Sequence, residues 1–225
     1  MISYVICGCL LLFLAFFITR FRPAATGKIT ENLYAVRCGI VNFYALNTSA
    51  GTVLFDTGIS SLLAKRGLRK LGILPDSVTH IFLTHSDFDH TGGLSAFPTA
   101  ELYLSKEEEQ MINGKTARRG FLHNGRISSY HTMEDSETIV VGDVTIQLRL
   151  APGHTPGSSV YVVNGNILVS GDLLRLSRKG ALLPFLRLMN MNHRQNMQSV
   201  DAMRPFAGKA DYILTGHTGI NRPSA

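Results

Sequence analysis

The stretch Thr84-His85-Ser86-Asp87-Phe88-Asp89-His90 packs two histidines and two aspartates into six residues, a density of nitrogen and oxygen donors that packing does not explain. Three more donors follow in short glycine-containing stretches: His154 in Gly153-His154-Thr155-Pro156-Gly157, Asp172 in Gly171-Asp172 and His217 in Gly216-His217. Four histidines and three aspartates form a donor set suited to two divalent ions of the Zn, Mn or Fe kind, since imidazole and carboxylate are their usual ligands. The chemistry such a set supports is hydrolysis, in which a metal-activated hydroxide attacks a carbonyl or phosphoryl centre polarised by the same ions. Asp89 could orient that hydroxide and pass a proton to the leaving group. Soft thiolate chemistry is excluded: Cys7 and Cys9 lie in an apolar run, and Cys38 has no ligand-like neighbours and reads as a small buried hydrophobe.

Such donors need rigid strand ends to converge. Leu33 to Cys38, Val41 to Leu46 and Thr52 to Phe55 read as strands of a meander, and Ser60 can cap a helix that runs to about Leu71. Val78 to Leu83 is a continuous apolar strand that delivers His85. Glu101 to Leu104 reads as a strand, Lys106 to Ile112 as a short helix, and Asn113 to Arg126 as a basic loop. Thr138 to Leu150 and Val160 to Val169 read as hairpins around Gly142-Asp143 and Asn164-Gly165. Strands, helix and strands in repetition predict an α/β fold, an αββα sandwich of two packed mixed sheets with helices on the outer faces. Residues 29 to 225 form the catalytic domain of this reading.

Residues 1 to 22 are a different kind of segment. Ile2 to Thr19 carries no charge and as a helix would reach about 27 Å, close to the hydrocarbon thickness of a bilayer. No Lys or Arg precedes it, whereas Arg20, Arg22 and Lys28 follow, which favours a single-pass transmembrane anchor over a cleaved signal and places the catalytic domain in the cytoplasm. The net charge of +6 suits anionic partners, but no aromatic-and-basic repeat points to nucleic acid. Arg175, Arg178 and Lys179 could meet anionic headgroups. Ala181 to Met189 is either core or a membrane-facing lid, and a lid would favour a lipid-like over an ordinary small-molecule substrate. The isolated histidines His80, His123, His131 and His193 read first as solvated or structural hydrogen-bonders, and of the four His193 is the best candidate for touching substrate.

Taken in order, Phe55-Asp56-Thr57-Gly58, Thr84 to His90 with Gly92-Gly93, Gly153 to Gly157, Gly171-Asp172 and Gly216-His217 resemble the metallo-β-lactamase-fold hydrolase superfamily, in particular its glyoxalase-II-like and lactonase-like branch. The resemblance implies that His85, Asp87 and His154 hold a first ion, that Asp89, His90 and His217 hold a second, and that Asp172 bridges them. It also implies that Asp56 supports the metal loop from behind. The usual pattern has His where this chain has Asp87. Di-iron members of the superfamily carry acidic residues there, so Asp87 reads as a ligand. That substitution lowers the formal charge of the centre to about +1 and favours harder ions; Zn still leads, with Fe and Mn behind it. The implied reaction is cleavage of an ester, thioester, lactone or phosphodiester. A di-iron oxidoreductase would need a separate flavin partner, and a non-catalytic metal-binding module would not need every ligand position filled by a donor.

Overall fold

The computed structural model describes residues 19–223. Of the expected anchor, residues 1 to 22, only 19–22 lie among them, and among the described residues no helix is long and apolar enough to cross a membrane. Two sheets form the body. The first runs in spatial order β1 (Gly27–Lys28), β2 (Leu33–Cys38), β3 (Val41–Thr48), β4 (Gly51–Phe55), β5 (Val78–Phe82), β6 (Glu101–Ser105) and β7 (His131–Met133). Its first four strands pair antiparallel and β4 to β7 pair parallel. The second sheet has the order β15 (Gly219–Asn221), β14 (Tyr212–Thr215), β11 (Ile167–Gly171), β10 (Ser159–Val163), β9 (Val144–Leu150) and β8 (Thr138–Val141). It is antiparallel except for β11 and β14. A small hairpin, β12 (Leu174–Leu176) with β13 (Leu182–Pro184), stands beside it.

Alternation along the strands explains the layers, because successive side chains in a strand point to opposite faces. Leu33 and Ala35 of β2, and Tyr44 and Leu46 of β3, face inward and meet Ile146, Leu148, Tyr161 and Leu214 of the second sheet in the central core. Val36, Phe43 and Ala45 point the other way, into a cluster with Ala64 and Leu68 of α1 (Ser61–Lys70). On the far side, Val160, Leu168 and Ile213 pack against Met203 of α4 (His193–Ala207). The αββα sandwich predicted from the sequence is therefore the observed architecture. Two short helices, α2 (Phe88–Thr91) and α3 (Glu109–Ile112), lie in the connections after β5 and β6.

Details at the edges differ from the sequence reading. Ser60 does sit at the N-cap of α1, but its side chain makes no capping hydrogen bond. Phe21 and Arg22, read as part of the anchor, pack on the domain: Phe21 is buried with Phe185 and Leu186, and the Arg22 amide donates to the His217 carbonyl at 2.7 Å. The Ala181 to Met189 stretch divides, with Phe185 and Leu186 buried and Leu188 exposed.

Two core tyrosines tie the sheets to the strand ends that matter for chemistry. The buried Tyr161 hydroxyl donates to the Leu83 carbonyl at 2.8 Å, immediately before Thr84, and the buried Tyr44 hydroxyl donates to the Thr215 carbonyl at 2.8 Å, immediately before Gly216. Losing one such bond while keeping the ring should cost about 1 kcal/mol. Tyr161→Phe should accordingly lower the urea unfolding midpoint without changing the slope; an unchanged midpoint would mean that the hydroxyl anchors nothing.

Candidate metal centre

Every ligand candidate sits just beyond a strand end on one edge of the sandwich: His85 to His90 after β5, His154 after β9, Asp172 after β11 and His217 after β14. What fixes them starts with Asp56, which follows β4 in a left-handed conformation (φ 62°) that is uncommon for non-glycine residues and more open to Asp than to most. Its Oδ1 accepts the Thr84 amide at 2.8 Å. Its Oδ2 accepts the Thr84 hydroxyl at 2.8 Å and sits 2.7 Å from His90 Nδ1. With both Asp56 oxygens acting as acceptors, His90 donates from Nδ1 and turns Nε2 toward the other donors; burial pushes the ring down, but Asp56, Asp172 and Asp89 carry it well above the ordinary imidazole range, so Nε2 sits where a cation is held.

The other three imidazoles are set in the same sense. His217 Nδ1 donates to the Ile40 carbonyl at 2.8 Å, and His154 Nδ1 lies 3.1 Å from Asn190 Oδ1. Thr84 Oγ1, already donating to Asp56, can only accept from His85 Nδ1 at 3.0 Å. Hydrogen-bonding the far ring nitrogen is how metal-binding histidines are oriented and their tautomer chosen. All four Nε2 atoms are thereby turned toward the same space.

Three overlapping donor groups result: His85, Asp87 and His154; His85, His90 and Asp172; and Asp89, His90 and His217, the ligand atoms of each lying within 4.8 Å of one another. His217 Nε2 is 3.2 Å from Asp89 Oδ2 and 3.3 Å from Asp172 Oδ2, and His90 Nε2 is 3.5 Å from Asp172 Oδ1. Buried and without a hydrogen-bond partner are His85 Nε2, His90 Nε2 and Asp172 Oδ1, which is the pattern expected of atoms that bind a cation. Burial alone would raise the Asp172 carboxyl, but the facing His217 and His90 hold it well below the usual carboxylate range. Burial likewise pushes His217 down, yet Asp172 and Asp89 carry it up to about 10. The site demands positive charge, and the donor set fits a divalent ion.

The structure brings together all seven ligand candidates and Asp56. It sets His193 behind the ligands: its Nδ1 contacts Asn190 Nδ2 at 3.0 Å, and Asn190 in turn orients His154. Five further contributors, Glu108, Arg118, Asn124, Phe21 and Phe185, carry no local signal. Buried Glu108 accepts the Ser86 amide and hydroxyl (2.8 and 2.6 Å) on one oxygen, and the Thr155 hydroxyl and Gly157 amide (2.7 and 3.1 Å) on the other, joining the His85 loop to the His154 loop. Burial pushes its carboxyl up, opposed by those hydrogen bonds. Arg118 and Asn124 descend from the loop after α3 onto Asp87. Phe21 stacks on the His217 ring at 4.2 Å, and Phe185 closes against His154 and His217. Gly216 lets the β14 turn pass over the donors, since a Cβ there would lie 2.7 Å from Asp172 Oδ1 and 3.0 Å from His90 Cε1.

Removing the Asp56 carboxylate would release the His90 tautomer and the Thr84 loop together. Asp56→Ala should weaken metal affinity about 10- to 100-fold, as read by competition with a chromophoric chelator; unaltered affinity would strip Asp56 of its orienting role.

The two-sheet frame has counterparts among known proteins. The profile of the metallo-beta-lactamase superfamily matches residues 36–217. Probable metallo-hydrolase YqgX of Bacillus subtilis (strain 168) is 29% identical over 147 residues, covering 59% of this chain and 65% of that protein. An N-acyl homoserine lactonase of Bacillus thuringiensis is 25% identical over 160 residues, covering 57% of this chain and 62% of that protein. The chain thus spans slightly under two thirds of the length of these relatives. Among solved structures, BJP-1, a subclass B3 metallo-beta-lactamase of Bradyrhizobium japonicum, superposes with a TM-score of 0.68 at 21% identity, over 88% of this chain and 79% of its own, a likeness of fold. With its profile match spanning most of the described residues and its donors set at the same strand ends that the match covers, this chain belongs to the metallo-beta-lactamase superfamily.

Proposed function

We propose that this protein is a membrane-anchored, metal-dependent hydrolase that cleaves an ester, thioester, lactone or phosphodiester bond. The observation that carries the reading is the convergence of four imidazole Nε2 atoms and the Asp172 carboxylate, with buried lone pairs left over, at an open strand edge. A divalent ion held there would acidify water and polarise the bond to be cleaved. The position best suited to it is the group Asp89, His90 and His217 with Asp172, and a set of two imidazoles and two carboxylates favours Zn ahead of Fe or Mn. At the other position that the resemblance implies, His85, Asp87 and His154, the Arg118 guanidinium is present.

Asp89 is the most exposed of the site's carboxylates, at 27% for its side chain, against 16% for Asp87 and 4% for Asp172. It therefore faces the space a substrate would enter, where it can accept a proton from an attacking water and return it to the leaving group. His217 and His90 overcome the effect of burial and keep its carboxyl below the ordinary value, so it stands ionised and ready to accept. The names of the relatives, which include a lactonase and a metallo-hydrolase, agree with carbonyl substrates.

The anchoring reading draws support from the route of the chain. Phe21 and Arg22 lie against His217, so the expected membrane segment would end within a few residues of the metal centre. Arg20, Arg22, Arg175 and Arg178 border one cavity of about 430 Å³. Among the described residues no carboxylate pairs with Arg22, Arg175 or Arg178, and burial together with Arg20 and Arg22 pushes the Arg175 guanidinium down. Such a cluster suits anionic headgroups on the cytoplasmic face, and the aromatic wall of Phe21 and Phe185 suits an amphiphilic substrate.

Stripping the protein with a chelator should abolish hydrolysis across a panel of ester, thioester, lactone and phosphodiester substrates, and Zn, Mn or Fe should restore it on at least one class. Activity that survives complete removal of metal would refute the reading. Asp89→Ala should lower kcat about 10²- to 10⁴-fold on that substrate, and full retained activity would remove Asp89 from the reaction. Deleting residues 1–18, which spares Phe21 and Arg22, should move the protein from the membrane pellet to the supernatant. A full-length protein already in the supernatant would argue against the anchor.

A further inference from the structure

Asp87, the residue that departs from the superfamily pattern, is already engaged. Arg118 Nε donates to Asp87 Oδ1 at 2.8 Å and reaches Oδ2 at 3.0 Å, and Nη2 donates to Oδ2 at 2.9 Å. The same Nη2 lies 3.1 Å from His154 Nε2 and 2.7 Å from the Met189 carbonyl. Asn124 Nδ2 adds a contact to Asp87 Oδ1 at 3.1 Å. The Arg118 side chain is only 12% exposed, and among the described residues no other ion pair engages it.

These contacts use lone pairs on two of the three groups that a first ion would need, Asp87 and His154, and leave His85 Nε2 without a partner. An ion bound to His85, Asp87 and His154 requires His154 Nε2 and an Asp87 oxygen at about 2.0 to 2.2 Å. His154 Nε2 and Asp87 Oδ2 are 3.1 Å apart, two acceptors that repel unless a cation lies between them. The guanidinium supplies that cation, and it stays charged at any working pH. A dication in the same place would lose two donors to Arg118 and face a fixed positive charge a few ångströms away, and like charges held that close inside a protein repel strongly. No basic side chain intrudes at the other position: His90 Nε2 and Asp172 Oδ1 remain without partners there. One nitrogen of the guanidinium is also left over, since Arg118 Nη1 is buried with nothing to donate to.

We propose that Arg118 takes the place of the first ion, binding Asp87 and His154 through Nε and Nη2 and offering Nη1 to a substrate carbonyl or phosphoryl oxygen, so that the centre works with a single divalent ion. The inference rests on the metal-centre reading above and replaces the expectation of two ions with Asp87 as a ligand. Asp87 becomes the counter-ion that fixes a built-in cation, and its acidity serves Arg118. A planar fork suits this task because it can hold a carboxylate with two N–H groups and still present a third.

The test is metal stoichiometry of the full chain after stripping, reloading with excess zinc and removal of loose ions, measured by mass spectrometry. The native chain should retain one zinc, and Arg118→Met should retain two. A native chain with two zincs would overturn the proposal while leaving the metal-centre reading intact. A native chain with none would overturn both. One zinc in native and Arg118→Met alike would show that Arg118 excludes nothing, and would also overturn it. Arg118→Met leaves Asp87 without its cation and could fail to fold; His154→Ala and His217→Ala then decide, since the first should keep the ion and the second lose it, and loss in His154→Ala would overturn the assignment. Arg118→Lys, which keeps the charge without the fork, should still bind one zinc while its kcat/KM falls about 10²- to 10³-fold, the effect of removing a donor to a developing oxyanion. Undiminished kcat/KM would rule out the Nη1 contact.

Discussion

One carboxylate sets the order in which this site can be built. Asp56 commits both oxygens to the segment that follows β5, holding the Thr84 amide and hydroxyl and the His90 ring, and does so from a left-handed backbone conformation. Through Thr84 it also decides which nitrogen of His85 carries the proton. Two of the four imidazoles thus inherit their orientation from a residue that touches no substrate. A buried, fully accepting carboxylate is tolerable here because each of its oxygens meets a donor, the condition under which buried charge ceases to be a liability.

The same logic recurs at Glu108, which joins the His85 loop to the His154 loop as Asp56 joins β4 to the end of β5. Tyr161 and Tyr44 add a third layer by fastening the backbone just before two ligand loops to the inter-sheet core. The geometry of the donors is therefore a property of the sandwich, transmitted by a few polar groups sunk into it. Loops that look short and glycine-rich in sequence behave as extensions of the strands.

Much of this is legible from residue order. The ligand stretches announce themselves because His and Asp crowd where apolar strands stop, and the strands β2 to β5 and β8 to β11 show the alternation or apolar runs that burial requires. What escapes has specific causes. Helix α4 buries Asn196, Ser199 and Met203 along its inner face and contains Pro205, so the apolar period that would mark a helix is written largely in polar residues. Glu108 sits between Glu107 and Glu109, and nothing local separates the buried carboxylate from its partly exposed neighbours. Arg118 reaches Asp87 across 31 positions and His154 across 36, contacts set by the path of a loop and by no local pattern. Asn190 and Phe21 are of the same kind, their roles decided by what the fold lays beside them.

Gly216 shows how little slack this arrangement leaves. A single carbon added there would press on a carboxylate oxygen of Asp172 and on the edge of the His90 ring, neither of which can retreat because each is held by partners on its other side. Every codon change that replaces glycine with another residue introduces that carbon. In evolutionary terms the position has no neutral neighbours: the turn that roofs the donors offers drift no first step.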